Sequence, residues 1–491
     1  MTRPREPIAF AQPRAPLVPI FIVLLILLVY VWVVTGGTLR HVPATSARYS
    51  DLAAGFLHGR LSVAVQPSPA LLALPNPYDP DANSAYRELD LSLFNGKYYI
   101  YWGPVPAVLL AGGCKALGID TPDIGDAYLG IVFMFGAAVL ATVLIFQIRA
   151  HLFPRQPLSA AAAAVLSLTL GAPALFCLAR ASVYETAVFS GQFFLLAGLC
   201  AAWFALKANH PRPWLLALSG TCWALSAGSR VSLPPALAAM VALTLWRLRR
   251  CGKPGVAGAA CLILPVVAGA ALLAWYNDAR FGSILETGAR YQLSGQNQTS
   301  LFGPSFMSIR HIIPNLCAYI LLPPHTSSTF PYFLTIDAKP CLQRCFTLWP
   351  YFFAEPLAGL LWTQIFLIFA FFTFAALRKT PNAQRQPQAR SLLSWLTFTL
   401  LCGGLLGILP SLAMDGVAMR YLLDGLPCLS ILAAVGYLRL LDKLHDHPRA
   451  ARELQSAVRA VVAIQCVLGI LLAVSRNPAN FQHVFKWFPA L

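Results

Sequence analysis

The chain has 491 residues, of which 57% are hydrophobic and 11% are charged, and its mean hydropathy is +0.63. A soluble globular protein usually carries about 25% charged residues, so the composition excludes an ordinary soluble protein and indicates an integral membrane protein. Stretches of about 20 apolar residues cross a membrane as helices, because every backbone polar group must be paired inside the lipid. We therefore predict an all-α integral membrane protein.

Eleven apolar segments are long enough to be predicted as membrane spans. They are residues 17–35, 124–148, 158–178, 183–206, 213–229, 231–250, 255–275, 356–378, 391–411, 421–440 and 457–475. We predict the N-terminus inside and the C-terminus outside. The chain then divides into an inner tail (1–16), a first span (17–35), a first outer loop (36–123), a helical bundle (124–275), a second outer loop (276–355), a second bundle (356–475) and an outer tail (476–491).

The net charge of +17 is interpreted as a topology signal and not as a sign of nucleic-acid binding. Inner loops of membrane proteins are rich in Lys and Arg, and with this topology 20 of the 36 Lys and Arg residues fall on the inner side. Most cysteines lie within spans, where they act as small hydrophobic residues. Cys341 and Cys345 lie in the second outer loop, where an oxidising compartment would permit a disulfide.

The first outer loop begins with an amphipathic segment. One helical stripe comprises Tyr49, Leu52, Ala53, Phe56 and Leu57. Ser46 can cap this helix and Gly59 can end it, and such a helix lies along the bilayer surface. Residues 104–118 are apolar but too short to cross the membrane, so they are predicted to be interfacial.

Acids and arginines at an outer membrane face suit the transfer of a sugar from a lipid-linked phosphate. A carboxylate can deprotonate an acceptor hydroxyl as a general base, and guanidinium groups can bind the phosphate and stabilise the charge that grows on it. Asp90 is singled out because it stands in an otherwise apolar run. Aromatic side chains on which a sugar ring could stack follow it closely: Tyr98, Tyr99, Tyr101 and Trp102.

Each of these residues also has a purely structural interpretation. Tyr and Trp near an interface form aromatic belts, Asp79 and Asp81 flank prolines and can build turns, and Asp51 can pair with Arg48 or His58. Asp120, Asp123 and Asp126 are interpreted as a solvated turn before a span. Arg420 and Asp424 are four residues apart and are expected to form an ion pair on one helix.

Three stretches carry a resemblance to a known class of membrane enzymes. They are residues 74–106, with Pro-Tyr-Asp-Pro and Gly-Lys-Tyr-Tyr-Ile-Tyr-Trp-Gly-Pro, residues 276–293, with Arg-Phe-Gly-Ser and Arg-Tyr-Gln-Leu, and residues 420–427. Together with the layout of spans and loops, they resemble the GT-C glycosyltransferases, which include protein O-mannosyltransferases and aminoarabinose transferases. Within this class, the chain most closely resembles a little-characterised bacterial branch. The resemblance implies a protein of the bacterial inner membrane that transfers a sugar from a polyprenyl-phosphate donor on the outer, periplasmic face, with inversion.

The sequence departs from this class at one position that matters for catalysis. An acidic pair precedes the Arg-Tyr of the first interfacial helix in the class, whereas Thr45, Ser46 and Ala47 precede Arg48-Tyr49 here. We therefore expect another acid of the loop to serve as the base. The predicted site comprises Asp90, Asp79 and Asp51 as candidate bases, Arg280, Arg290 and Arg420 as phosphate ligands, and Tyr98, Tyr99, Tyr101, Trp102 and Lys97 as sugar or lipid contacts.

The partners expected are a polyprenyl-phosphate-linked sugar and membrane lipids. No cofactor is firmly predicted, although the loop acids would also suit a divalent cation. Three alternatives stay open at this point: a transporter or flippase of a lipid-linked saccharide, a polymerase or ligase that uses a diphosphate-linked oligosaccharide, and a catalytically silent relative.

Overall fold

The computed structural model describes residues 17–43, 45–208, 210–251, 253–301, 306–375 and 387–486 of the protein. The predicted inner tail (1–16) and the end of the predicted outer tail lie outside these residues. The described part is mostly helical with very little sheet, so the all-α membrane class predicted from composition is confirmed. Cys341 and Cys345 are both free thiols, and the disulfide considered for them is not formed.

The main helices are α1 (Leu17–Val34), α2 (Arg48–Leu57), α3 (Val105–Leu117), α4 (Asp126–Leu152), α5 (Leu158–Thr169), α6 (Ala172–Leu178), α7 (Val183–Leu206), α8 (Pro213–Ala227), α9 (Pro234–Leu248), α10 (Lys253–Phe281), α11 (Ile312–Leu321), α12 (Pro387–Ala413), α13 (Leu426–Lys443) and α14 (Pro448–Arg476). Shorter helical segments are Pro69–Leu72, Pro80–Asn83, Arg249–Cys251, Ala289–Tyr291, Gln298–Leu301, Ile309–His311, Ala338–Gln343, Leu360–Thr363, Ile365–Phe369, Ala370–Ala375, Met419–Leu422 and Gln482–Phe485. The strands are β1 (Ser92–Phe94), β2 (Lys97–Tyr99), β3 (His325–Thr326), β4 (Phe333–Leu334), β5 (Phe353–Ala354) and β6 (Gly416–Val417).

Six helices of the described residues are long and apolar enough to cross a membrane, namely α1, α4, α7, α10, α12 and α14. Helices α5 and α6 would form a seventh span, bent by 45° at the break between them. The count of eleven is not confirmed. The other four predicted spans are 213–229, 231–250, 356–378 and 421–440. Their described residues contain helical segments that are shorter or less apolar, and positions 376–378 lie outside the described residues.

The first loop packs as the amphipathic stripe predicts. Tyr49, Leu52 and Ala53 are fully buried, and Gly59, with φ +69°, ends the turn that follows α2. The predicted cap is wrong, because α2 begins after Ala47 and the Ser46 hydroxyl donates to Asp126 instead.

A short hairpin follows, in which β1 pairs antiparallel with β2. Asn95 and Gly96 connect the strands with φ +48° and +68°, the pair of positive φ angles that a two-residue type I′ turn requires. The pairing aligns Leu93 with Tyr98, and it directs the chain toward Trp102 and α3.

Close backbone contact fixes this loop against the helical bundle. A Cβ atom on Gly103 would lie 2.1 Å from the carbonyl oxygen of Gly228, and the Val105 N–H donates to that same oxygen at 3.2 Å. Only glycine leaves the necessary space at position 103. The first loop is therefore held at one end of α8, with Trp102 beside the start of α7.

Candidate active site

A cavity of about 670 Å³ lies between the first loop, the start of α7 and the end of α14. Its wall carries four arginines and three acids: Arg48, Arg180, Arg420, Arg476, Asp90, Glu185 and Glu355. Neutral side chains on the wall include Thr45, Ser46, Trp102, Tyr184, Asn477 and Asn480. The excess of positive charge favours an anionic ligand.

Asp90 stands at this wall in an unusual backbone conformation, with φ +68°. Its carboxylate accepts hydrogen bonds from the Tyr184 hydroxyl and from the Gln292 side-chain amide, the latter at 2.7 Å. Its N–H donates to the Leu293 carbonyl oxygen at 2.8 Å. These bonds tie the two loops together. None of the ion pairs among the described residues includes Asp90, so its carboxylate faces the cavity without a cation partner there.

The other two acids of the wall have structural partners. The backbone N–H and hydroxyl of Ser182 both donate to the Glu185 carboxylate, which closes the first turn of α7. Glu355 bonds to Arg420, and its second oxygen lies 3.6 Å from Arg476. Asp90 is therefore the wall acid best placed to accept a proton from a ligand.

Strand pairing brings Glu355 and Arg420 together from distant parts of the chain. Strands β5 and β6 pair in parallel, with Phe353 opposite Gly416, and each charged residue follows one of these strands. The Arg420 guanidinium also lies 4.7 Å from the centre of the Tyr184 ring, within the range of a cation–π contact.

The predicted pair between Arg420 and Asp424 is wrong. The buried Asp424 carboxylate accepts instead from Arg230, at distances of 2.9 to 3.2 Å, and from the Ser232 hydroxyl at 2.9 Å. Arg420 is thereby left to face the cavity and Glu355.

The remaining two arginines of the wall differ in their partners. Arg48 bonds to Glu88 at 2.9 Å and lies 3.6 Å from Asp51. Arg180 is exposed to the cavity and forms no hydrogen bond or ion pair with any described residue. Arg180 is therefore the wall cation most available to an incoming anion.

The prediction that Asp126 lies in a solvated turn is wrong, because Asp126 is completely buried. Its carboxylate accepts from the Ser46 hydroxyl and from the backbone N–H groups of Arg48 and Tyr49, at 2.9 and 3.0 Å. It thus caps the first turn of α2 from another helix, next to the residues that precede Arg48. Ser46 lines the cavity and Asp126 lies behind it.

The predicted bases other than Asp90 lie outside the cavity wall. Asp51 is held by Arg48, and burial raises its pKa, an effect that Arg48 partly offsets. Asp79 caps a short helical turn by accepting a hydrogen bond from the Asp81 N–H at 3.1 Å. This contact agrees with the structural interpretation of Asp79 as a residue that builds a turn.

Two of the predicted phosphate ligands also lie away from the cavity. Arg280 is buried, donates to the Ile100 carbonyl oxygen at 2.8 Å and stacks 3.8 Å from the centre of the Tyr276 ring. Arg290 lies 3.8 Å from Glu286 and its side chain is about half exposed.

Among the predicted sugar contacts, only Trp102 lines the cavity. Tyr101 packs against it with ring centroids 4.3 Å apart. Tyr98 and Tyr99 are buried, whereas Lys97 is exposed on the hairpin. Within the part of the chain that the structure describes, no group of three or more His, Cys, Asp or Glu side chains is placed to hold a metal ion.

Several wall residues were not predicted as site residues: Arg180, Tyr184, Glu185, Glu355, Arg476, Asn477 and Asn480. A signal for some of them exists in the sequence, since Arg180, Glu185, Glu355 and Arg476 are charges next to apolar segments, where charges are costly. The two asparagines carry no comparable signal.

No protein-family model matches the chain, and no curated protein matches it. Among solved structures it is similar to the archaeal oligosaccharyltransferase AglB from Archaeoglobus fulgidus, in complex with an inhibitory peptide and a dolichol-phosphate, at 12% identity and a TM-score of 0.44. It is also similar to ArnT from Cupriavidus metallidurans bound to undecaprenyl phosphate, at 13% identity and a TM-score of 0.43. Both are GT-C glycosyltransferases, the class that the sequence resembles.

These alignments cover 94% and 95% of this chain but 56% of AglB and 77% of ArnT. The chain thus spans about half the length of the archaeal protein. Similarity at this level records a resemblance and assigns no activity.

Proposed function

We propose that the protein is a membrane glycosyltransferase that moves a sugar from a polyprenyl-phosphate donor to a hydroxyl group of an acceptor. The observation that carries this proposal is that one cavity holds both an arginine and a carboxylate without an ion-pair partner among the described residues. They are Arg180 and Asp90. The cavity adjoins apolar helices, so a lipid-linked substrate could place its phosphate in the cavity and its tail among the helices.

The arginines of the wall would bind the donor phosphate. Arg180 is free to contact it directly, while Arg420 and Arg476 share Glu355 and keep donors available for a second acceptor. Charge-assisted hydrogen bonds of this kind stabilise the phosphate as it leaves with the electron pair of the broken sugar–oxygen bond.

Asp90 would act as the general base. It would take the proton of the acceptor hydroxyl as that oxygen attacks the anomeric carbon, and the bond from this carbon to the phosphate oxygen would break on the opposite side, which inverts the configuration. Tyr184 and Gln292 hold the carboxylate in place, which limits the reorganisation needed during the reaction. The acceptor could be a lipid, a glycan or a protein.

The arrangement of the chain in the membrane forms part of this proposal. We assign the cavity to the outer, periplasmic face of a bacterial inner membrane, because the predicted inner segments carry most of the Lys and Arg residues. The first loop (36–123) and the second loop (276–355) would then lie on that face, and the bundles 124–275 and 356–475 would lie in the membrane.

Binding of donors to the purified protein in detergent tests the proposal. A panel of polyprenyl-monophosphate sugars should raise the thermal unfolding temperature of the wild-type protein, and one member should serve as the donor in a transfer assay with membrane extracts as acceptor. Arg180→Ala should strongly reduce the stabilisation, since it removes the cavity arginine that has no partner among the described residues. Arg290→Ala is the matched control, because it removes an exposed arginine outside the cavity.

Three results would contradict this proposal. Stabilisation only by diphosphate-linked oligosaccharides would favour a polymerase or ligase, and movement of lipid across proteoliposomes without covalent transfer would favour a flippase. Loss of binding in Arg290→Ala but not in Arg180→Ala would place the phosphate at the second loop instead.

A further inference from the structure

The C-terminal segment, defined as residues 477–485, forms part of the cavity wall. It follows the last turn of α14, and Asn477 and Asn480 line the same cavity as Asp90 and Arg180. This stretch belongs to the predicted outer tail (476–491), and the structure places two of its residues in the wall of the cavity.

Aromatic contacts fix this segment to the rest of the molecule. Phe481 is fully buried, and its ring lies 5.3 Å from that of Trp32 at the end of α1. Phe485 packs edge-on against Phe330 of the second loop at 5.2 Å. The two rings therefore attach the segment to both α1 and the second loop.

Backbone contact fixes Asn480 more closely still. Gly36 has φ +59°, and a Cβ atom there would lie 2.7 Å from the Cβ atom of Asn480. The N–H of Asn480 also donates to the carbonyl oxygen of Asn477 at 3.1 Å. The backbone of the two asparagines is thus held in a defined turn, so ligand binding would not have to order this part of the chain.

The side-chain amides of both asparagines form no hydrogen bond with any described residue. An amide offers two donors and an acceptor and carries no charge. This chemistry matches the hydroxyl groups of a sugar, each of which both donates and accepts, and it differs from that of the arginines, which suit a phosphate.

We propose that Asn477 and Asn480 bind hydroxyl groups of the transferred sugar and so contribute to the choice of donor. This inference rests on the proposed function. In this arrangement the cavity has a cationic part that binds phosphate and a neutral part that recognises the sugar. The C-terminal segment supplies the neutral part.

The test compares two dissociation constants for each variant: that of undecaprenyl phosphate without a sugar, and that of undecaprenyl phosphate linked to glucose, galactose, mannose, N-acetylglucosamine or aminoarabinose. The wild-type protein should bind at least one sugar-linked lipid more tightly than the sugar-free lipid. Asn477→Ala and Asn480→Ala should each reduce that preference by about three- to tenfold, as expected for one neutral hydrogen bond, while affinity for the sugar-free lipid stays within about twofold.

Gln482→Ala is the matched control, since it removes an exposed amide of the same segment that does not line the cavity. If an alanine variant does not fold, Asn477→Leu and Asn480→Leu fill a similar volume without the amide and should lose the same preference. An unchanged preference in the double variant that combines Asn477→Ala with Asn480→Ala would overturn the inference. No preference for any sugar in the wild-type protein would overturn it as well. Failure of the wild-type protein to bind even the sugar-free lipid would instead overturn the proposed function, and the inference with it.

Discussion

Asp90 adopts the left-handed backbone conformation that most side chains avoid and that Asp and Asn tolerate best. Strained positions of this kind occur often at active sites, where surrounding contacts hold them. Tyr184, Gln292 and Leu293 supply such contacts here. The backbone conformation of Asp90, just before β1, thus directs its carboxylate toward the cavity.

We predict that Asp90→Asn lowers kcat by at least about 100-fold and leaves KM for the donor nearly unchanged, because loss of a general base slows proton transfer without removing a phosphate ligand. Asparagine tolerates the same φ angle, so the fold should be preserved. Transfer assays with purified protein measure both constants. Asp79→Asn changes an acid of the same loop outside the cavity and should have little effect; equal losses in the two variants would exclude Asp90 as the base.

Asp415 is a second acid whose pKa is changed by its surroundings. It is buried just after α12, and burial raises its pKa to about 6, against a smaller opposing effect of the nearby His311. The folded protein therefore binds a proton more tightly at this site than the unfolded chain, whose carboxyl has an ordinary pKa near 3.8.

We predict that this group lowers the stability of the protein as pH rises from about 4 to 6. Over that interval the folded state retains a proton that the unfolded state has released, so the free energy of unfolding falls with pH. Thermal unfolding at several pH values should show a shallower decline for Asp415→Asn. The exposed Asp120, changed to Asn, is the control, and identical slopes in Asp415→Asn and wild type would refute the prediction.

At the scale of single elements, the short helix Met419–Leu422 depends on a buried ion pair. Asp424 lies just after this helix and bonds to Arg230 and Ser232, while Gln192 of α7 donates to its backbone carbonyl oxygen at 3.2 Å. Three parts of the bundle therefore hold the turn that presents Arg420 to the cavity.

Removing one partner of this pair should destabilise the protein strongly. We expect Arg230→Met to lower the free energy of unfolding by about 3–5 kcal/mol, because Asp424 would be left as a buried charge without its cation. The double variant Arg230→Met with Asp424→Leu should recover much of that loss. Denaturation in mixed detergent micelles measures both values, and a loss below about 1 kcal/mol in the single variant would show that the pair is dispensable.

The pairing of β5 with β6 is a second element on which the cavity depends. A Cβ atom at position 416 would lie 2.1 Å from the Phe353 ring, so only glycine fits there. We predict that Gly416→Val separates the strands and displaces Glu355 from Arg420, which should weaken donor binding at temperatures where the protein is still folded. Gly295→Ala, at a site open enough for a Cβ atom, is the control; unchanged donor binding in Gly416→Val would contradict this role.

At the scale of the whole molecule, hydropathy predicts the longest helices well and the others poorly. The segment 183–206 coincides with α7 because its 24 residues are predominantly apolar, in spite of Glu185 and Gln192. Segments 213–229 and 231–250 form the shorter α8 and α9, each of which begins at proline. Hydropathy averaged over a window of residues detects apolar character, but it does not detect the individual residues at which a helix begins or ends.

The sequence singles out a residue of the candidate site where the local composition is unusual, but it does not predict the partners of that residue. The apolar run around Asp90 singles out that residue, and Asp90 lines the cavity. Glu355 and Arg420 are brought together by strand pairing across 65 residues, and Asp126 reaches α2 from another helix. Spacing along one helix instead suggested a pair of Arg420 with Asp424, because the bundle contacts that bring Arg230 to Asp424 leave no periodic pattern.

The docking of the C-terminal segment has a consequence for biosynthesis. A ribosome makes the chain from its N-terminus, so the first loop, α7 and Arg420 are all synthesised before residues 477–485. The wall that carries Asn477 and Asn480 is therefore added last, when Phe481 docks beside Trp32. Until then the cavity lies open on that side, and a nascent chain already inserted in the membrane would not yet hold a complete binding site.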